Sequence, residues 1–514
     1  MRFSHLEFFR RNEVKVMRPI EKCVVYPPER VIRLEIPVGK SPLGSCQRQT
    51  TPVDLQALGY VEEEYIIQGK SNVYLWPKDK DRPQIRIENA PYSTRVLIYK
   101  PKDPKRFSGV VVMENFNNSA RIDMSKVGWT ICYEELAAQG DAWVGYDVQK
   151  VGFRLLETFD PERYSPYHLA FDNPLPPEER GPLGWHILRQ EFARMGITPA
   201  LEVPDDFEKG LMFDMSYQLA ALCRRCAEGD PFDGYAVTHI CGAAVADYNL
   251  YVAGFEPYLR RENGRPMFDG FLKVMSGSGG EISREADMWQ CDDPRSMTYS
   301  EVPFIKIETA GDMRSIMPHP SMACKRRMTD RNEEGQKAWW YELAGVAVKF
   351  TERYDVVACA CEADYQQLGL ERPCTDSGTL YPNYSGIRLI EAAYHNLREW
   401  ILHGIIPPHM EHYLELHGEY PNVEFDLDNN GNHIGGVRSS YVDVPVASYM
   451  DDGRVEMFSA EKLNALYGTP EAYAAKVDEY LAQMVSDRWL LPRGAQQISN
   501  QAHAFSWKKE DVDK

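Results

Sequence analysis

The sequence lacks an apolar run long enough to cross a membrane. Hydrophobic residues make up 43% of the 514 residues, yet no stretch reaches the roughly 18 consecutive apolar residues that a transmembrane helix needs. The opening residues, MRFSHLEFFRRNEVKVMRP, mix charged and aromatic side chains and contain no apolar core of a signal peptide. We therefore expect a cytoplasmic protein that has no membrane partner.

Excess positive charge is also missing. Lysine and arginine number 58 against 76 aspartate and glutamate residues, which gives a formal net charge of −18. Because nucleic acid is bound by concentrated positive charge, this balance argues against a nucleic-acid partner. The chain shows neither an internal repeat nor a low-complexity tract. We expect the partner to be a small-molecule substrate, and the sequence leaves self-association into a homo-oligomer open.

The cysteines do not suggest a disulfide framework. Their number is odd, eleven, and they are scattered, as is typical of reduced and mostly buried thiols. Cys223 and Cys226 form a CxxC, a spacing that also suits zinc or redox chemistry. They lie in a predicted amphipathic helix, YQLAALCRRCAEG, without a second pair at ligand spacing. We predict no metal and no cofactor.

Alternating strand and helix patterns predict the α/β fold class. GVVVMENF is a compact β-branched run, typical of a strand buried on both faces of a parallel sheet. WTICYEELAAQGDAWVGYDV follows as helix, glycine turn and strand, which is a βαβ step. FDGFLKVMSGSGG and VPFIKIETAGD predict two more buried strands, each ending in a Gly-rich turn. The expected architecture is a mostly parallel central sheet with helices on both faces.

Three regions are predicted along the chain. Residues 1–58 form an N-terminal arm with β decoration, residues 59–495 the main domain, and residues 496–514 a C-terminal tail. Near the start of the main domain, YVEEEYIIQGKSNVYLW alternates apolar and polar residues. This alternation predicts a half-buried antiparallel strand pair.

An irregular insertion at about residues 155–206 interrupts the strand and helix alternation. It contains the Pro-rich FDNPLPPEERGPLGW. Such an insertion is often an active-site lid, and the alternative is a solvent-exposed excursion with packing duty only. Aromatic residues in and just before it favour either an aromatic-lined pocket or ordinary core. These residues are Phe153, Phe159, Tyr164, Tyr167, Phe171 and Trp185.

One ordered set of segments runs through most of the chain, from Gly59 to about Pro492. It consists of GYVEEEYIIQGKSNVY, PYSTRVLIYKP, VVVMENFNNSA, GDAWVGYDVQKVGF with DPERY, FDMSYQL, FDGF, VPFIKIETAGD and GGVRSSYVDVPVASY. As a set, these segments resemble the large bacterial alpha/beta hydrolase domain-containing family. The resemblance implies an α/β-hydrolase fold and, generally, hydrolysis of carboxylic esters.

By resemblance, the three positions of the family's catalytic triad can be located in this sequence. Two of them lack the side chain that the reaction requires. The nucleophile position, on the turn between strand and helix in CGAAVAD, falls on Ala244. The acid position falls on Asp312, and the histidine position, within AGxxH in the family, falls on Val348 of AGVAV. Loss of a nucleophile or a base costs on the order of a million-fold in rate. The sequence therefore predicts no ordinary acyl-enzyme ester hydrolysis.

The origin of this degenerate triad is open. Ala244 is either an engineered replacement of a serine, which leaves Val348 unexplained, or part of a natural protein that lost the triad and kept the fold. In a third explanation the base has moved to His319 in the loop MRSIMPHPSM, or less readily to His239 in the strand before Ala244. For both histidines a surface or packing role is the alternative.

Other groups at the same strand ends suit a polar oxygen. By resemblance, the turn that begins at Asn117 supplies one N–H of an oxyanion hole, and Val245 supplies the other. The alternative for Asn117 is capping of the turn. Glu114 and Tyr146 are candidate substrate contacts, because ligands bind at strand ends in open α/β sheets. Trp185 is a further candidate, as one of the aromatic residues of the insertion. Structural hydrogen bonding is the alternative for Glu114 and Tyr146.

These features predict a hydrolase-fold enzyme that acts on a small, aromatic ester-, lactone- or carbonyl-containing molecule. One alternative is a non-hydrolytic lyase, isomerase or decarboxylase that uses the oxyanion hole for an enolate-like intermediate. The other is a pseudoenzyme that only binds a ligand.

Overall fold

A computed structural model of the protein shows one large β-sheet. It describes residues 18–117, 122, 124–125, 127–180, 206–245, 254–274, 283, 285, 300–316, 327–347, 361–371, 386–418 and 422–507. The strands are β1 (Arg18–Pro19), β2 (Cys23–Val24), β3 (Arg30–Leu34), β4 (Tyr60–Leu75), β5 (Gln84–Pro101), β6 (Val110–Asn115), β7 (Ala142–Tyr146), β8 (His239–Val245), β9 (Leu259–Arg260), β10 (Gly270–Val274), β11 (Phe304–Thr309), β12 (Arg331–Glu333), β13 (Gln336–Leu343), β14 (Leu416–His417), β15 (Glu424–Phe425), β16 (Ala447–Tyr449) and β17 (Val455–Met457).

Helices connect and cover these strands. The described α-helices are α1 (Leu55–Leu58), α2 (Tyr133–Gln139), α3 (Lys150–Phe159), α4 (Pro161–Tyr164), α5 (Met212–Arg225), α6 (Ala310–Ile316), α7 (Glu362–Leu368), α8 (Ile387–His403), α9 (Ser440–Asp443), α10 (Ala460–Tyr467), α11 (Pro470–Ser486) and α12 (Pro492–Ala504). A π-helix, Val127–Ile131, precedes α2. Within the described part of the chain, none of these helices combines the length and the apolar character that a bilayer crossing requires.

The large sheet has eleven strands and a parallel centre. Its order is β12-β13-β11-β10-β8-β6-β7-β5-β4-β3, with β1 pairing beside β5. The six neighbours from β13 to β7 run parallel to each other, whereas β3, β4, β5 and β12 pair antiparallel. Strands β6, β7, β10 and β11 are buried along their whole length. This confirms the predicted mostly parallel central sheet. The apolar runs indicated it, because strands that are buried on both faces carry continuous apolar sequences.

Helices lie on both faces of the sheet, as predicted. Gly270 of β10 faces α8, because a Cβ at this position would come within 2.5 Å of Ile401 Cδ1. On the opposite face, Tyr146 of β7 hydrogen-bonds to Ser216 of α5. Successive strand residues point to alternate faces. The side chains of Phe271 and Lys273 therefore point away from α8, on the side of the sheet covered by α5.

The predicted strand pair near the start of the main domain is wrong. Residues Tyr60–Leu75 form one continuous 16-residue strand, β4, with register shifts near Ser71 and Val73. Its antiparallel partner is β5, which contains the segment TRVLIYKP. The alternation in this segment arises because one strand has two differently buried faces. Periodicity alone does not place a turn.

Both predicted terminal regions contribute residues to regular secondary structure. Strand β3, from the predicted N-terminal arm, pairs with β4 and so belongs to the sheet. Helix α12 runs across position 496, where the predicted tail begins, and buries Ile498 and Ala502. The segment VRSSYVDVPVASY forms the short helix α9 followed by the three-residue strand β16.

A buried charge network ties the insertion to the sheet. Glu64 of β4 and Arg95 of β5 are both fully buried, and their side chains form an ion pair at 2.8 Å. The Glu64 carboxylate also accepts hydrogen bonds from Arg163 Nε at 2.8 Å and from the Tyr164 hydroxyl at 2.7 Å. Arg163 and Tyr164 belong to α4, near the start of the insertion. Glu64 is therefore the group that connects this helix to the sheet.

A turn closes the β14–β15 region and buries one histidine. Asp428 accepts main-chain hydrogen bonds from Asn430 and Asn432, which is a turn built by an aspartate side chain. His433 follows, is 2% exposed, and packs edge-on against Phe425 with ring centroids 4.6 Å apart. Among the described residues, its Nδ1 has no hydrogen-bond partner. Burial lowers the pKa of His433 to about 4.

This histidine makes stability depend on pH. A folded-state pKa below the ordinary value of about 6.5 means that the unfolded chain binds the proton more readily. Stability from this group is complete above pH 6.5 and is lost as pH falls toward 4. We expect the free energy of unfolding to drop by about 2 kcal/mol between pH 7 and pH 5 through this residue. Urea unfolding at both pH values should show that His433→Gln removes this portion of the pH dependence.

The matched control is His417→Gln, because His417 lies on β14 close to this turn and is largely exposed. It should leave the pH dependence unchanged. An equal pH dependence in wild type and His433→Gln would contradict the assignment.

Candidate active site

Ala244 lies near the carboxyl end of the central strand β8. It is 1% exposed and sits opposite Lys273 of β10. The predicted small-residue turn around Ala244 begins later than expected, because β8 remains paired through Val245 opposite Val274. The strand persists because Ala243 and Ala244 fit against β10 as ordinary strand residues. Residues 246–253, where the chain would turn into a helix, lie outside the described residues.

Asp312 lies in the first turn of α6, directly after β11. The predicted Gly-rich turn after β11 is wrong, since α6 begins at Ala310 without an intervening loop. The Asp312 main-chain N–H donates to Thr309 Oγ1 at 3.0 Å, so the threonine hydroxyl caps the helix start. In sheet order, β11 is separated from β8 only by β10. Ala244 near the end of β8 and Asp312 just after β11 thus both lie at the carboxyl edge of the sheet.

Three predicted site residues lie outside the described residues: Val348, His319 and Trp185. Strand β13 ends at Leu343, next to β11, and the chain is described up to residue 347. In the sequence, position 348 therefore comes after β13, and Asp312 comes after the neighbouring strand β11. His239 begins β8, at the opposite end from Ala244, and its ring hydrogen-bonds to Thr238 at 3.0 Å. This placement separates His239 from the strand ends where the other groups lie.

In the turn after β6, the main chain of Asn117 pairs with the main chain of Met124. The Asn117 N–H donates to the Met124 carbonyl at 2.9 Å, and Met124 donates back at 3.3 Å. An oxyanion donor from this turn would then come from the residues after Asn117, which lie outside the described residues. Val245 is the last residue of β8. Its predicted oxyanion role stays a prediction.

Glu114 anchors the π-helix rather than facing an open cavity. Its carboxylate accepts hydrogen bonds from the Ser125 hydroxyl at 2.6 Å, Val127 N at 2.7 Å and Trp143 Nε1 at 2.9 Å. Gly128 N adds another at 3.0 Å. A carboxylate at a helix start satisfies N–H groups that have no partner within the helix. These contacts correspond to the structural alternative for Glu114.

Tyr146 and Asn115 share the face of Ala244. Glu114 is opposite Ala243, and strand residues alternate, so Asn115 points to the same side as Ala244. Asn115 is opposite Tyr146 on the next strand. Burial raises the pKa of Tyr146 to about 12. The buried Asn115 Oδ1 has no hydrogen-bond partner among the described residues, so this amide is a further polar group beside Ala244 that sequence reasoning missed.

Two buried lysines were also missed. Lys273 and Lys306 are opposite each other on β10 and β11, and Lys273 is opposite Ala244 on its other side. Buried lysines are rare unless paired. The signal was available in the sequence, because GFLKV and FIKIET each place one lysine inside an otherwise apolar strand. Lys273 is therefore on the strand next to the predicted nucleophile position, and Lys306 is one strand further away.

The described aromatic residues of the insertion are mostly core. Phe153, Tyr164 and Phe171 are buried, and Phe159 and Tyr167 pack against the same cluster. Phe153 and Phe171 make an edge-on contact with ring centroids 5.3 Å apart. These packed rings favour the ordinary-core alternative over an aromatic pocket lining. Free thiols are described at both CxxC positions, and the described residues contain no group of three or more side chains arranged to hold a metal.

The mostly parallel central sheet with helices on both faces defines the fold as that of an α/β-hydrolase. Residues 31–500 match the alpha/beta hydrolase domain family. The chain belongs to this family, as its ordered segments had indicated.

Solved structures with some likeness are hydrolases. A putative dienelactone hydrolase from Klebsiella pneumoniae is 13% identical over 54% of this chain and 85% of its own, with a TM-score of 0.23. An esterase from Pyrobaculum calidifontis is 10% identical over 54% and 74%, with a TM-score of 0.23. The glucuronoyl esterase from Solibacter usitatus is 9% identical over 69% and 88%, with a TM-score of 0.27. Among curated proteins, none matches this sequence.

Proposed function

We propose that this protein is a hydrolase-fold enzyme that acts on a small ester, lactone or other carbonyl compound without a serine acyl-enzyme. The observation that carries the proposal is the row of Ala244, Lys273 and Lys306 on adjacent buried strands. By the family resemblance Ala244 is at the nucleophile position, so this row supports a site that has buried lysines on the strands beside that position. The insertion at about 155–206, anchored through Glu64 and Arg163, would cover the substrate as a lid.

A methyl group at position 244 changes the reaction that is available. Alanine has no lone pair to attack a carbonyl, and a serine would also need a base to take its proton. With Val348 at the histidine position, attack has to come from water. What can remain of such a site is positioning and oxyanion stabilisation, which together supply about a thousand- to ten-thousand-fold over water.

The buried charges supply stabilisation of a different kind. Inside the sheet the effective dielectric is low, so fixed ammonium groups interact with developing negative charge more strongly than they would in water. Lys273 and Lys306 point to the face of Ala244. Asp312 is the acid–base candidate. It lies in the first turn of α6, at the same edge of the sheet as Ala244.

The same lysines favour a second candidate function. An enolate-like intermediate carries negative charge on a carbonyl oxygen, and nearby ammonium groups lower its energy. A lyase, isomerase or decarboxylase acting on a carbonyl substrate would use these charges without any covalent acyl step. A ligand-binding pseudoenzyme is the third candidate.

Turnover against phenolic esters, aromatic lactones and β-keto acids separates these candidates. We expect hydrolysis of at least one ester or lactone, and a loss in kcat/KM of at least about 100-fold in Asp312→Asn, since a general acid or base contributes this much. Asp81→Asn, which alters an exposed carboxyl between β4 and β5, is the control. His319→Ala tests the relocated base.

Different results would favour the other candidates. Turnover of keto acids alone would favour the non-hydrolytic enzyme, and the absence of turnover with measurable ligand binding would favour the pseudoenzyme. Labelling of the native protein by a fluorophosphonate at a serine would contradict the proposal, because it would reveal a nucleophile elsewhere.

A further inference from the structure

The side chain of Asn115 is a buried amide with one unsatisfied oxygen. Asn115 is the last residue of β6 and is 6% exposed. Among the described residues, its Oδ1 has no hydrogen-bond partner. A buried acceptor without a partner lowers the stability of the folded chain, because it has lost its hydrogen bonds to water and gained none in return. An amide in this position therefore indicates a role other than stability.

Strand pairing places this amide beside the predicted nucleophile position. Glu114 of β6 is opposite Ala243 of β8, so the next residues, Asn115 and Ala244, are neighbours on adjacent strands. Their side chains point to the same face, and neighbouring strands are about 4.8 Å apart. Ala244 contributes only a methyl group to this face. A molecule held above Ala244 would therefore lie within reach of the Asn115 amide.

The amide extends toward the carboxyl edge of the sheet. Its Nδ2 is 3.4 Å from the carbonyl oxygen of Phe116, the next residue toward that edge. This hydrogen bond is long, since N–H···O bonds in proteins are usually about 2.9 Å. The contact occupies the amide nitrogen and leaves Oδ1 as the acceptor that a ligand can use.

Other buried polar side chains show what a structural role requires. Asn432 is 0% exposed, its Oδ1 accepts from Tyr449 N at 2.8 Å, and its Nδ2 donates to the Ala447 carbonyl at 3.2 Å. Glu114 precedes Asn115 but points to the opposite face, where it accepts several hydrogen bonds. Within the described part of the chain, Asn115 Oδ1 makes no comparable contact.

We propose that Asn115 determines which substrates the site accepts, because its Oδ1 receives a hydrogen bond from a hydroxyl or N–H group next to the reacting carbonyl. One strand spacing separates Asn115 from Ala244, which fits a donor on the carbon that adjoins the carbonyl. The substrate class is therefore an ester or lactone that carries a hydroxyl or N–H on this carbon. The inference rests on the proposed function for the reaction, though not for the binding of such a molecule.

The selection arises from the cost of leaving Oδ1 unpaired. A substrate with the donor satisfies this oxygen when it binds, whereas an analogue without the donor does not. Sites that hydrogen-bond a substrate hydroxyl reject the analogue lacking it more strongly than apolar pockets reject a missing methylene. The donor does not take part in the bonds that change. Its hydrogen bond is therefore made in the ground state and the transition state alike, and its loss should raise KM more than it lowers kcat.

Two phenyl esters that differ by one hydroxyl test this selection. The kcat/KM ratio of phenyl 2-hydroxypropanoate to phenyl propanoate is measured in wild type and in Asn115→Leu, so that the intrinsic reactivities cancel. We expect the ratio to fall at least about tenfold in the variant, mainly through KM. Asn115→Asp keeps an acceptor oxygen in the same place and should retain most of the ratio. Turnover with an unchanged ratio in Asn115→Leu would overturn the inference and leave the proposed function standing.

Binding tests the same contact without turnover. The anilides of 2-hydroxypropanoic acid and propanoic acid are stable amide analogues of the two esters. At equal concentration, the hydroxylated anilide should raise the Tm of wild type more than its partner does, because ligands that bind the folded state stabilise it. In Asn115→Leu the two should act equally. If this pattern appears and no ester is turned over, the proposed function fails and the Asn115 contact stands. Equal effects on wild type would overturn the inference.

Thermal unfolding of the ligand-free protein separates this role from a structural one. The Tm of Asn115→Leu should stay within about 1 °C of wild type or rise, because the substitution removes an unpaired acceptor and keeps the branched shape. Asn432→Leu is the matched control and should lower Tm by at least about 2 °C, since it leaves Tyr449 N and the Ala447 carbonyl without their partner. A loss in Asn115→Leu as large as that in Asn432→Leu would overturn the inference.

Discussion

The double substitution Ala244→Ser and Val348→His is expected to create hydrolysis of an activated phenyl ester at a rate at least about 100-fold above that of the unaltered protein. The physical reason is that serine and histidine act as one unit, whose loss costs on the order of a million-fold in a natural triad. Ala244 already lies at the end of β8, and Asp312 follows β11 on the same side of the sheet. Stopped-flow release of the phenol measures the effect.

The single substitutions provide the controls for this experiment. Ala244→Ser alone has a hydroxyl without a base, and Val348→His alone has a base without a nucleophile, so each should stay within a few-fold of the starting rate. A fluorophosphonate should label the double variant at position 244 and neither single variant. A folded double variant without gain or labelling would show that positions 244 and 348 do not meet in a triad geometry.

Glu64→Ala is expected to lower the free energy of unfolding by about 3 kcal/mol, the lower end of the cost of removing one partner of a buried ion pair, because Asp147 remains 3.9 Å from Arg95 Nη1. The Arg95 side chain, fully buried, would keep its charge and lose the carboxylate at 2.8 Å. The substitution also removes the acceptor for Arg163 Nε and the Tyr164 hydroxyl. Urea unfolding followed by fluorescence measures the loss, and faster proteolysis within the insertion should accompany it.

Arg33→Ala is the matched control, because Arg33 forms an ion pair on the same sheet but is mostly exposed. Its guanidinium is 3.2 Å from Glu63, with 56% of the side chain exposed. Exposed pairs contribute about 0–1 kcal/mol, so stability should barely change. Equal effects of Glu64→Ala and Arg33→Ala would contradict a special role for the buried network.

The central sheet was predictable because its strands carry continuous apolar runs. VVVMEN and FIKIET became β6 and β11, both buried along their length, and the helix MFDMSYQLAALCRR formed as α5. The burial of such segments can be predicted from their own residues. The sixteen-residue β4 was misread as two strands, since alternation reports which faces are buried and does not report where a strand turns.

The site was less predictable because it depends on register and on distant partners. That Lys273 stands between Ala244 and Lys306 follows from the pairing of three strands far apart in sequence. Glu114 was assigned to substrate from its place at a strand end, but its donors come from the π-helix and from Trp143, which the strand sequence does not reveal. The acid role of Asp312 comes from the family resemblance alone and stays a prediction.

The outermost strands of the sheet determine how copies of the chain can associate. At one border β3 is only five residues long and exposes Arg30 and Arg33. At the other, β12 is three residues long and exposes Asn332 and Glu333. Short edge strands bearing charge oppose the docking of a foreign strand. Among the described residues, growth of the sheet from one molecule into the next is therefore disfavoured at either border.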